Sequence, residues 1–250
     1  MKVISIFFCV LFGVSAALAA PGGGPSFGAS FETSVSNIIA RFSVRWPGAR
    51  ASGERIVREA FRSKRHDAFS AAKTKLAVIV AGSKAGTGFV MREGRRLWLV
   101  TNAHVVRGQP IVRATMLDGT TLTLGPREFA AERDLARFPV DGNRPALEIR
   151  AGLPDVGERV TVLGNTDGRG VITEINGRVV GVGPTEVEVD AAFTTGNSGS
   201  PVIDRTGRVI AVASYLRNCR DDGNWSKKNT RFNGIRRFAL RLAGVKWERP

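Results

Sequence analysis

The sequence predicts an all-β protein with short N-terminal helices and a C-terminal helix. From Leu76 onward, short apolar and β-branched runs recur about every eight to twelve residues. Turn pairs separate them, among them Asp118-Gly119, Asp167-Gly168, Asn176-Gly177 and Thr206-Gly207. No long helical pattern lies between the runs, which argues against βαβ units and leaves a barrel or a sandwich. Strands are expected over 77–80, 88–91, 97–101, 160–163, 171–175, 187–189 and 209–213.

The chain opens with Met1-Lys2, stays nearly free of polar residues from Val3 to Phe12, and reaches the small-x-small pattern Ala17-Leu18-Ala19. This reads as an export signal over 1–19, cleaved after Ala19. The apolar stretch falls short of the roughly 20 residues a span requires, which disfavours the alternative of an uncleaved anchor. The expected destination is the periplasm or the exterior. Residues 20–30 hold Pro21-Gly22-Gly23-Gly24-Pro25 and read as a linker.

Val35, Ile38, Ile39 and Phe42 recur at helical spacing, as do Ile56, Val57, Ala60 and Phe61 beyond Pro47-Gly48. Two short amphipathic helices therefore fit 31–72. The second carries Arg55, Arg58, Arg62, Lys64 and Arg65 on its outer face, which suits packing on the main domain or contact with an anionic surface. Residues 73–250 form the remaining domain, large enough for a sizeable core. At its end Ile235, Phe238, Ala239 and Leu242 share one face of a predicted helix over 232–242.

The net charge is +15, and +14 once 1–19, whose only charge is Lys2, are removed. Such a field attracts anionic cell-surface polymers, lipid or nucleic acid, although a plain solvated basic surface is the favoured account of it. No interleaved aromatics mark a nucleic-acid motif, so no specific nucleic acid is expected. Outside the signal Cys219 is the only cysteine, so no intrachain disulfide is expected and packing must supply stability. With two histidines and that cysteine there is no ligand cluster; neither metal nor cofactor is expected.

Three segments carry chemistry. In Gly196-Asn197-Ser198-Gly199-Ser200-Pro201 two glycines bracket a serine between apolar runs. Alone, this hexapeptide is equally an ordinary turn. As a nucleophile, Ser198 would need backbone amides aimed at a developing oxyanion, and Gly196 and Ser198 would supply them. Leu99-Val100-Thr101-Asn102-Ala103-His104 delivers a histidine from an apolar strand. A lone histidine there is more often a core residue than a base, but its rival His66 sits in the charged stretch Lys64-Arg65-His66-Asp67. Asp134 opens a run that turns apolar through Leu135, Phe138 and Val140. Partly buried beside an imidazole, it would fix the tautomer and stabilise the imidazolium. Asp118 and Asp141 precede glycine and read as turn residues.

His104, Asp134 and Ser198 stand in that order, 30 and 64 residues apart. With Gly86-Thr87-Gly88-Phe89 and Asp190-Ala191-Ala192 they make the sequence over 76–216 resemble the trypsin-fold serine peptidases, specifically the disulfide-poor HtrA/Deg branch. The resemblance implies a double β-barrel with the triad between the barrels, a polypeptide substrate, and hydrolysis through an acyl-enzyme. It also implies that Asn197, standing where zymogens have an aspartate, rules out activation by an ion pair. Ala192, six residues before Ser198, implies no preference for Lys or Arg. Ala192, Phe193, Ser214 and Tyr215 are the candidate pocket residues, with Leu216 beside them, and a small or aliphatic side chain is the expected fit. Asp190 is expected to be structural. Ser200, where that branch has glycine, and Phe193-Thr194-Thr195 depart from the pattern. No PDZ-like segment is recognisable after Leu216. The alternative reading is a catalytically silent trypsin-fold protein that binds through its basic surface.

Overall fold

In the computed structural model, residues 70, 72–218 and 234–249 are described; the predicted signal, linker, nearly all of the two basic helices, and Cys219 lie outside them. Chain order gives β1 (Leu76–Ala81), β2 (Lys84–Glu93), β3 (Arg96–Thr101), the single helical turn α1 (Ala103–Val106), β4 (Arg113–Met116), β5 (Glu128–Ala130) and β6 (Ala136–Val140). There follow β7 (Arg159–Asn165), β8 (Ile172–Val182), β9 (Glu186–Val189), β10 (Pro201–Ile203), β11 (Val209–Asn218), β12 (Ile235–Leu240) and β13 (Trp247–Glu248).

The first seven-stranded sheet runs β13-β5-β6-β3-β2-β1-β4. Residues after β4 roll it up: the Leu122 amide donates to Ala114 in β4 at 2.9 Å and the Gly125 amide to Pro139 in β6 at 2.9 Å. The second unit is a closed barrel, β10-β11-β12-β9-β8-β7. Closure pairs every edge and removes exposed ladder groups. Both belong to one compact unit, residues 64–250.

Strand alternation explains the packing. In β3, Leu97 and Leu99 point into the first barrel, while Trp98 and Val100 point at the seam between the barrels. β11 divides likewise, with Ala211 and Ala213 inside the second barrel and Val209 and Val212 on the seam. A strand buried on both faces reads as a continuous apolar run. Phe89, Leu135, Leu163 and Leu240 complete the seam.

Two expectations are corrected. The predicted C-terminal helix is instead β12. Its backbone pairs with β11 on one side and β9 on the other, and a helix there would leave both strands with open edges; tertiary pairing overrides the helical spacing. Asn176-Gly177, expected as a turn, lies inside β8. A Cβ on Gly177 would sit 2.4 Å from the Ala191 amide nitrogen, so this glycine serves close approach of backbone rather than chain reversal.

Candidate active site

β3 ends at Thr101, and the buried Asn102 turns the chain into α1, which carries His104. The anchor is Asp134, just ahead of β6. Its carbonyl accepts the Asn102 side-chain amide at 2.8 Å and the Ala103 amide at 3.2 Å. Its carboxylate accepts the His104 backbone amide at 2.8 Å and meets His104 Nδ1 at 2.5 Å. Ser214, on β11, donates its hydroxyl to the same carboxylate at 3.1 Å. Burial pushes the Asp134 carboxyl upward; the hydrogen bond and charge of His104, its backbone amide and the Ser214 hydroxyl outweigh burial and hold it below the usual range. The imidazole is 48% exposed, so its far edge faces solvent.

Ser198 lies on the turn between β9 and β10. Its hydroxyl donates to the Ser214 carbonyl at 3.5 Å. The structure thus joins His104, Asp134 and Ser198 through Ser214: the Ser214 hydroxyl touches the aspartate and its carbonyl touches the serine. Gly196 and Gly199 have φ of +84° and +88°. A Cβ would fall 2.2 Å from the Asn165 carbonyl at Gly196 and 2.0 Å from the Thr87 carbonyl at Gly199. Both glycines are needed because backbone crowds the turn from below. The turn is also tied to the β7–β8 connection, where the Asp167 amide donates to Thr195 at 2.8 Å.

Asn197 is fully buried and staples this turn. Its carbonyl oxygen accepts the Thr194 amide at 3.0 Å, and its amide donates to the Thr166 hydroxyl at 3.1 Å. Ser200 is also fully buried. Gly164 on β7 makes its space: a Cβ there would lie 1.8 Å from the Ser200 hydroxyl.

Thr87 on β2 had no role in the sequence reading, although its segment was part of the resemblance. It donates its amide to the Ser198 carbonyl at 2.8 Å and its hydroxyl to the Gly196 carbonyl at 3.1 Å. The same hydroxyl accepts the Asn165 amide at 2.9 Å, and the Thr101 hydroxyl donates to the Thr87 carbonyl at 2.7 Å. One first-barrel residue therefore clamps both flanks of a second-barrel turn. Thr87 is fully buried; its place between Gly86 and Gly88 was the signal available in the sequence.

The pocket candidates separate. Ala192 is exposed, whereas Phe193 is 2% exposed with its ring in the second-barrel core. Ser214 is spent on Asp134. Tyr215 is 40% exposed; it stacks on Phe238 at 5.0 Å and bonds through its hydroxyl to Glu186 at 3.0 Å. Asp190 accepts the Arg178 amide at 2.5 Å, a structural use of that carboxylate.

A family model for the trypsin-like peptidase domain matches residues 86–212. Protease Do-like 1, chloroplastic, of Arabidopsis thaliana is 33% identical over 168 residues, covering 61% of this chain and 36% of that protein. A probable periplasmic serine endoprotease, DegP-like, of Rhizobium meliloti (strain 1021) is 34% identical over 141 residues, covering 52% and 28%. The chain thus spans about a third of the length of the curated relatives it matches. A serine endoprotease from Yersinia pestis, 22% identical, superposes with a TM-score of 0.57 over 71% of this chain and 62% of that one, a likeness of fold. The barrel pair, its HtrA/DegP-like relatives and a family match over half its length establish that this chain belongs to the trypsin-like peptidase domain family.

Proposed function

We propose that the protein is an exported serine endopeptidase that cuts polypeptides through an acyl-enzyme, with Ser198 as nucleophile, His104 as base and Asp134 as the group orienting the base. The observation that carries this reading is the Asp134 carboxylate, 2.5 Å from His104 Nδ1. That contact puts the ring proton on Nδ1 and leaves Nε2 free to take a proton. In the substrate complex the Ser198 hydroxyl exchanges the Ser214 carbonyl, its acceptor here, for Nε2; catalytic contacts that are long in a free enzyme tighten there. The Ser198 oxygen then attacks the scissile carbonyl carbon and its proton passes to His104. The imidazolium returns that proton to the leaving amine as the C–N bond breaks. Water, deprotonated by His104, releases the acid and restores Ser198.

For the oxyanion we assign the amides of Gly196 and Ser198. In a trans peptide the C=O and N–H point in opposite directions. The Thr195 carbonyl is occupied by Asp167, so the Gly196 N–H is turned the other way, and neither amide has an acceptor among the described residues. Ala192 offers no carboxylate to a basic substrate side chain, so no preference for Lys or Arg is expected. Export rests on the first 19 residues and on the periplasmic naming of a relative.

The test compares hydrolysis of an unfolded polypeptide by the wild type and by Ser198→Ala. Hydrolysis lost by several orders of magnitude in the variant supports the reading. Equal hydrolysis, or none by the wild type against any unfolded polypeptide, contradicts it.

A further inference from the structure

Arg237 was not singled out in the sequence, where it belonged to the predicted helix. On β12 it pairs with Leu216 of β11 on one side and Val189 of β9 on the other. Directly opposed residues of antiparallel strands share a face, and Val189 belongs to the second-barrel core. Arg237 therefore projects on the inner face, one pleat above the buried Ala239, at the barrel's mouth. Its Nε donates to the Phe193 carbonyl at 2.9 Å. It thus ties the 192–195 segment, which leads into the Ser198 turn, to the 214–216 segment, whose Ser214 carbonyl receives the Ser198 hydroxyl. Arg237 thus touches both segments that flank Ser198, and between them we place the side chain of the substrate residue whose carbonyl faces the nucleophile.

Among the described residues, the neighbouring carboxylates are committed elsewhere. Glu188 holds Arg236 with two bonds of 2.8 and 2.7 Å, and Glu186 takes the Tyr215 hydroxyl. Asp190 follows Val189, leaves from the opposite face, and takes the Arg178 amide. Among the described residues no carboxylate pairs with Arg237. Its other contact is a 3.4 Å bond from Nη1 to the Ile235 carbonyl. A guanidinium has five N–H donors, of which three have no acceptor among the described residues; in a partly buried setting charge-assisted bonds to a carboxylate are strong.

We propose that Arg237 makes the site selective for substrates with Asp or Glu at the residue donating the scissile carbonyl. This rests on the peptidase reading above and replaces the expectation of a small or aliphatic side chain there. The same positive charge disfavours Lys and Arg at that position.

The experiment uses matched peptides with Glu, Gln, Val or Lys at one position, cleaved by the full chain and by Arg237→Gln. Within one preparation the Glu:Gln ratio of kcat/KM is independent of the folded fraction. The expected wild-type ratio is about 10- to 100-fold, collapsing towards unity in Arg237→Gln. Wild-type cleavage with no preference for Glu overturns the inference and leaves the peptidase reading intact. An acidic preference that survives Arg237→Gln also overturns Arg237 as its source. If the wild type neither cleaves a peptide nor reacts with a fluorophosphonate, the peptidase reading fails and this inference with it.

Discussion

Asp134 is the residue on which the site turns. It receives the His104 backbone and ring together with the Ser214 hydroxyl, so losing its charge disturbs three partners. Asp134→Asn is expected to keep the fold and lower kcat by about 10³- to 10⁴-fold, read in a peptide hydrolysis assay, because the amide reverses the tautomer. A depressed carboxyl also sets a pH window. The folded form favours the ion, so its contribution to stability is present above the ordinary carboxylate range of about 4 and is lost as pH falls through the lower folded value. Melting curves of wild type and Asp134→Asn should differ by a constant amount above about pH 5 and converge below about pH 4. That difference is modest, because the carboxylate side chain is 36% exposed. Thr87 acts at one remove, as a positioning residue. Thr87→Val preserves shape but leaves the buried Gly196 carbonyl and Asn165 amide without their partner. We expect a stability loss of about 1–3 kcal/mol by urea melting. We also expect kcat to fall about tenfold with KM little changed, since a 1 Å shift of the oxyanion donors alone suffices. Thr87→Ser should restore both.

Among the elements, the turn carrying Ser198 is shaped by β7 as much as by its own sequence. Gly164→Ala would drive a methyl group into Ser200 and is expected to cost about 1–3 kcal/mol. The double change Gly164→Ala with Ser200→Gly should recover most of that loss in a thermal melt; simple additivity would show that the two positions do not share space. β1, β2, β3, β7, β9 and β11 were legible because each is apolar, β-branched and bounded by turns. β12 was not, since Ile235, Phe238, Ala239 and Leu242 happen to fit a helix and only pairing with β9 and β11 decides otherwise. β5 and β13, of three and two residues, are too short to show a period. For the candidate site, motif and order single out His104, Asp134 and Ser198, whose roles remain the proposal made above. Thr87, the Ser214 bridge and Arg237 were not legible there, because their roles arise from contacts across 109, 80 and 44 residues.

The whole molecule assembles the site on a seam. His104, Asp134 and Thr87 come from the first barrel, and Ser198, Ser214 and Arg237 from the second. Trp98, Phe89, Leu135, Leu163, Val212 and Leu240 press the two together, and apolar burial of this kind is the dominant force holding such a junction. β13 adds a strap from the far end of the chain: Arg137 lies between the rings of Trp98 and Trp247, 3.8 and 4.5 Å from their centres. With the barrels docked, the central claim is that Ser198 is a nucleophile primed by His104. The most direct measurement treats the full chain with a fluorophosphonate and locates the adduct by peptide mass mapping, beside Ser198→Ala and His104→Ala. An adduct on Ser198, absent in Ser198→Ala and formed at least about 10³-fold more slowly in His104→Ala, is predicted. An adduct elsewhere, or a rate on Ser198 that is indifferent to His104, would contradict the account.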